Sequence, residues 1–178
     1  MLNDSSQAYG IVSKIFHWLV AILIFGLFAI GVWMVELGYY DQWYKDAPFY
    51  HKSTGIILAF IMLLRIFWRT INSKPAPLAS HRLWEQRLAL ATHILIYTLI
   101  LLIITSGYLI STADGRGISV FNLFEIPSAG LLVENQEDRA GLVHQWMAYI
   151  LMGLIVLHIG AALTHHFIHK DQTLKRML

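Results

Sequence analysis

Cysteine is absent from the chain, which excludes disulfides, thiolate-bound iron–sulfur clusters and thioether attachment of haem through a CxxCH motif. Charge is scarce: 13% of residues are Asp, Glu, Lys or Arg, against about 25% in an average soluble domain. The net charge of +2 forms no basic patch interleaved with aromatics, so nucleic acid is not expected as a partner. Carboxylates are nearly missing from the long apolar runs, where a metal transporter would be expected to keep them. Only four prolines occur, and Pro75 and Pro77 fall in a short connection rather than a domain linker.

What fills the chain instead is apolar, 57% of its 178 residues. Four runs stand out, at 15–36, 51–70, 89–111 and 142–167, each close to the ~20 residues that cross a bilayer as a helix. Open strands cannot satisfy their backbone in lipid, and the alternation of an outer-membrane barrel is missing. The fold class expected is all-α, one integral membrane four-helix bundle spanning 1–178. The first run is too long for a signal peptide and lacks a small-x-small cleavage site, so it is expected to stay as a helix.

Orientation follows the Lys and Arg count near the membrane ends. Lys14, Arg65, Arg69, Lys74, Arg82, Arg87, Lys170, Lys175 and Arg176 gather on one side, against Lys45, Lys52, Arg116 and Arg139 on the other. This puts the N and C termini in the cytoplasm and leaves residues 37–50 and the loop 112–141 outside. That loop mixes turn residues with Val120, Phe121, Leu123, Phe124 and Ile126. It is expected to form either a short surface helix or a loop packed over the bundle mouth.

Histidine carries the chemistry. His144 and His158 lie 14 residues apart in the last run, within about 40° of one helix face and roughly 21 Å apart in depth. Ionisable groups inside a bilayer usually mark a functional path. Topology sorts the others by depth, pairing His51 with His144 outside and His17 with His158 inside, while His93 competes with His17. Imidazole alone does not choose the metal. A porphyrin needs ligands from two helices and small residues beside them, and Gly55, Ala148, Gly160, Ala161 and Ala162 meet that need; small residues also simply pack membrane helices. Together these features favour haem, and two axial imidazoles would suit it to electron transfer.

The ordered motifs Ile15-Phe16-His17-Trp18, Phe49-Tyr50-His51-Lys52-Ser53-Thr54-Gly55, Val143-His144-Gln145-Trp146 and Leu157-His158-Ile159-Gly160-Ala161-Ala162-Leu163-Thr164-His165-His166-Phe167 span nearly the whole chain. With His93 followed by Ile94-Leu95-Ile96-Tyr97, they make it similar to the bacterial cytochrome b561 family and, more distantly, to the cytochrome b subunits of formate dehydrogenases and nickel–iron hydrogenases. The resemblance implies two haems b, with His51 and His144 as iron ligands of the outer haem and His17 and His158 of the inner one. His93 would then touch a propionate or quinone, or be a plain core histidine. It also implies quinone exchange, with ubiquinone expected, on the cytoplasmic side at His165 or His166, with His165 favoured; otherwise those residues anchor the helix end. Lys52 and Arg116 could reach outer propionates or be solvated cations.

One type of family member is a superoxide oxidase that reduces ubiquinone. An anionic substrate wants a basic mouth, yet Asp41, Asp46, Asp114, Glu125, Glu134, Glu137 and Asp138 outnumber the outer cations. The sequence therefore leaves three classes open: an oxidoreductase or electron carrier between a periplasmic-side donor or acceptor and membrane quinone; a haem-bearing subunit docked to a periplasmic partner protein in a larger dehydrogenase; and a His-lined transporter of metal or protons.

Overall fold

A computed structural model describes residues 1–78 and 80–178. Among the described residues, four helices are long and apolar enough to cross a membrane: α1 (Ile11–Met34), α2 (Asp46–Ile71), α3 (Leu83–Thr112) and α4 (Gln136–Phe167). Two short strands, β1 (Ile118–Val120) and β2 (Phe124–Ile126), lie between α3 and α4. Four alternating spans bring both termini to one end, the terminal side, and the strands to the other, the hairpin side.

All four helices begin earlier than the apolar runs, and at three of them polar residues complete the start. Asp46 opens α2 with an acidic group in the first turn, where it complements the helix dipole; Pro48 follows, tolerated there because early N–H groups have no helical partner. At α3 the Glu85 carboxylate accepts the Arg82 N–H at 2.6 Å, half of a capping box. At α4 the buried Gln136 carries the connection. Its side chain accepts from the Leu132 N–H at 2.8 Å and donates to the carbonyls of Leu109 and Gly130 at 2.9 and 3.2 Å.

The segment after α3 forms an antiparallel hairpin rather than a surface helix, with Ile118 opposite Ile126 and Val120 opposite Phe124. Phe121 and Asn122 take positive φ to close it. Val120 and Ile118 are buried, and the hydroxyl of Ser53 on α2 donates to the Ser119 carbonyl and accepts the Phe121 N–H, each at 3.2 Å. The hairpin is thus pinned two residues from His51.

The helices pack chiefly as α1 on α2 and α3 on α4, with α2 meeting α3 more lightly. A central layer of Val20, Ile24, Leu58, Met62, Leu99, Ile100 and Leu151 is buried. Leu151 falls midway between His144 and His158, so this layer separates the two depths at which histidines sit. The accessible surface is 11707 Å², about a third above the roughly 8,800 Å² of a compact soluble protein of this mass. Lipid-facing residues such as Leu157, Phe67 and Leu63 account for part of it, each more than half exposed.

Candidate functional site

On the hairpin side α2 supplies His51 and α4 supplies His144. Their ring centres stand 6.1 Å apart with planes at 70°. Two metal–nitrogen bonds of about 2 Å, with about 1 Å from each nitrogen to its ring centre, give a separation of about 6 Å. The pair is therefore spaced as two axial ligands would be. His144 Nδ1 faces the Ile103 carbonyl at 2.9 Å and the Ser106 hydroxyl at 3.3 Å. A proton on Nδ1, donated to that carbonyl, leaves the Nε2 lone pair for a metal.

Glycines set both rings. A methyl group at Gly107 of α3 would stand 3.0 Å from Cε1 of His144, and one at Gly31 of α1 would stand 3.1 Å from Cε1 of His51. Beside Gly55 and Gly160 a methyl group would meet nothing within 4 Å, which leaves room for a flat group against α2 and α4. His51 Nδ1 is buried without a hydrogen-bond partner among the described residues. Paired imidazoles, one backbone-oriented and one carrying an unpartnered buried nitrogen, together with that open space, fit a haem.

Other cations on this side are differently engaged. Arg116 donates from Nε to Asp114 at 2.7 Å and pairs with it again at 2.5 Å through a guanidinium nitrogen. That hydrogen bonding, with Lys52 as a weaker contribution, holds the Asp114 carboxyl below its ordinary range. Lys52 itself is exposed.

The terminal side is arranged otherwise. His93 of α3 and His158 of α4 have ring centres 5.3 Å apart, closer than the about 6 Å expected of two imidazoles on opposite faces of one haem. His17 of α1 faces Arg65 of α2, whose guanidinium lies 3.3 Å from Nδ1. A guanidinium can only donate, so this contact makes Nδ1 the acceptor and puts the imidazole proton on Nε2. Arg65 and Arg69 stand over the Tyr97 ring at 5.3 and 5.7 Å, and the Tyr97 hydroxyl is buried without a hydrogen-bond partner among the described residues. Sequence reasoning counted these arginines for orientation only; two cations one turn apart inside an apolar helix were the signal that they serve a site.

In the last turn of α4, His165 Nδ1 donates to Asp171 Oδ2 at 2.7 Å, whereas the buried Nδ1 of His166 has no partner among the described residues. The tail returns to α1, with Trp18 Nε1 donating to the Met177 carbonyl at 3.0 Å and Lys14 to that of Leu178 at 2.9 Å.

The profile of the prokaryotic cytochrome b561 family matches residues 8–178. The chain belongs to that family. Its members are membrane cytochromes that transfer electrons and bind haem b, so this chain is a multi-pass protein of the bacterial inner membrane. It is 48% identical to "Cytochrome b561 homolog 2" of Escherichia coli K12, with 99% of this chain and 94% of that protein covered. Similarity extends to "Cytochrome b561 homolog 1" of the same organism, 30% identical over 72% of each chain. It also reaches "Probable superoxide oxidase CybB" of Yersinia pestis, 31% identical with 91% and 90% covered. Family membership replaces the transporter reading.

Proposed function

We propose that this cytochrome b561 family member holds two haems b and passes electrons between a redox partner on the hairpin side and membrane quinone, ubiquinone by preference, on the terminal side. The observation that carries this reading is the His51–His144 pair, spaced for two axial bonds and seated against Gly31 and Gly107. His158 would take one side of the second haem and His17 the other, since the His93 ring stands nearer to that of His158 than two imidazoles on opposite faces of one haem would. Held between two imidazoles, haem would supply one-electron chemistry rather than oxygen binding.

The remaining roles fall to the chain's own residues. The Ile103 carbonyl fixes the His144 tautomer, and the central apolar layer from Val20 to Leu151 keeps water from running between the two depths. Arg65 and Arg69 supply positive charge for the acidic edge of the group bound on the terminal side, as Lys52 does on the other; Arg116 is already neutralised by Asp114. Reducing one quinone to quinol takes two electrons and two protons. His165 and His166 lie where the protons enter, and His93, whose ring stands 5.3 Å from that of His158, positions the quinone.

Superoxide, the substrate in the name of the Yersinia pestis relative, is an anion. The acidic excess on the hairpin side and the Arg116–Asp114 pair argue for a donor or acceptor that does not need a basic mouth. A second reading, the haem-bearing subunit of a dehydrogenase, is favoured by the exposed Leu123, Leu131, Leu132 and Val133 on the hairpin side; stable copurification with a periplasmic protein would support it.

The electron-carrier reading is tested by adding a short-chain ubiquinol to the oxidised, purified protein without oxygen. The expected result is the reduced b-type spectrum; haem that dithionite reduces and quinol does not would overturn the quinone assignment.

A further inference from the structure

On the terminal side, away from the histidines just described as ligands, three side chains from three segments converge. His81 comes from the α2–α3 connection, His165 from the last turn of α4, and Asp171 from the tail. Asp171 Oδ2 lies 3.0 Å from His81 Nε2 and 2.7 Å from His165 Nδ1, and one donor atom from each of the three falls within 4.8 Å of the others. All three side chains are mostly buried, at 16%, 19% and 10% exposure.

We propose that His81, His165 and Asp171 form a binding site for a divalent transition-metal ion of the zinc class. Two imidazoles and a carboxylate are a donor set that zinc accepts, with a fourth position left for water or another ligand. Metal–ligand bonds of about 2.0–2.1 Å in a tetrahedron set the donors about 3.3 Å apart, so the nitrogen–oxygen distances of 3.0 and 2.7 Å need open by about 0.3 and about 0.6 Å. Neutral imidazoles would shift their protons from His81 Nε2 and His165 Nδ1 to the opposite ring nitrogens, and none need be lost.

The surroundings are built as supports of a metal site usually are. The second Asp171 oxygen accepts the Thr173 N–H at 2.8 Å, which fixes the carboxylate as hydrogen-bonded outer partners do. Left-handed backbone at Lys170, φ 53°, turns the tail back so that Asp171 faces the helix it has just left. A third imidazole, His169, has its ring centre 5.1 Å from that of His165, and Glu85 lines the same small cleft. Burial alone would raise the Asp171 pKa; hydrogen bonds from Thr173, His81 and His165 outweigh it and hold the carboxyl well below the usual range. The ligand oxygen is thus charged and ready at neutral pH. A bound ion would tie the α2–α3 connection to the end of α4 and the tail.

The test is zinc titration of the haem-loaded, chelator-washed protein in competition with a fluorescent zinc probe, with haem content read on each sample. One Zn²⁺ per chain is expected in the wild type, bound about a hundredfold or more tightly than in His81→Ala or Asp171→Asn. Asp171→Asn keeps the side chain's size, so a loss of zinc there with unchanged haem separates ligation from folding. Absence of stoichiometric zinc in the wild type would overturn the site. So would wild-type affinity in either variant, because the ion would then be held by His166, His169 or other surface groups.

Discussion

The two ends of the bundle hold histidines at matching depths but prepare them differently. At the hairpin side, His51 and His144 face each other at an axial-ligand spacing, and His144 is already in the tautomer that offers Nε2. At the terminal side, three histidines crowd the same depth. His93 takes the place beside His158, and Arg65 sits against His17 in a way that favours the opposite tautomer. One end is set by backbone carbonyls and glycines, the other by cations. The hairpin end is therefore positioned by groups that do not move, while the terminal end is positioned by charges that respond to what binds and to protons.

The largest expected effects come from removing ligands. His144→Ala should remove the hairpin-side haem and His158→Ala the terminal-side one, each lowering haem per protein by about half in a pyridine haemochrome assay. Retention of both haems in the His158 variant would sink the pairing. A sharper cut separates His17 from His93: His17→Ala should lose one haem and His93→Ala keep both, and the reverse result would make His93 the ligand.

A smaller change tests the glycine seats. Gly107→Ala puts a methyl group 3.0 Å from the His144 ring, and overpacking of this kind costs about 1–3 kcal/mol. Haem should then be released from the hairpin side at a lower temperature than in the wild type, with the terminal-side spectrum unchanged. An unaltered melting of both spectra would show that the ring moves aside freely. Gly160→Ala, facing open space in this structure, should matter only if haem lies against it.

The cations at the other end predict a shift rather than a loss. Arg65→Gln removes positive charge from the terminal-side group and should lower only that haem's midpoint potential in a redox titration, since a nearby cation favours the form with the extra electron. An equal shift of both potentials would contradict the separation of the two ends.

The smallest effect concerns the tail. A carboxyl held below its unfolded value adds stability that is present above the unfolded pKa, near 4, and lost as pH falls through the folded value. Protection of the last ten residues from proteolysis should therefore persist on acidification past pH 4, and Asp171→Asn should abolish that persistence.

Much of this was legible in the sequence. Apolar length and topology placed four helices and sorted the histidines by depth, because helix geometry alone fixes how far apart His144 and His158 lie. The seats for the rings were not legible: Gly31 and Gly107 sit on the neighbouring helices, and only packing reveals which glycine meets which imidazole. The hairpin depended on positive φ at Phe121 and Asn122, two residues with no glycine to announce a turn. His81 drew no notice because its partners, His165 and Asp171, lie more than eighty residues away and meet it only through the left-handed turn at Lys170. The early start of α4 rested on Gln136, whose three hydrogen bonds are tertiary.

The most direct test of the central claim is the haem-to-protein ratio of the purified chain, from pyridine haemochrome absorbance against amino-acid analysis. Two haems b per chain are predicted, one for each end of the bundle. A ratio of one would contradict the two-centre account and leave one set of histidines without the role assigned to it.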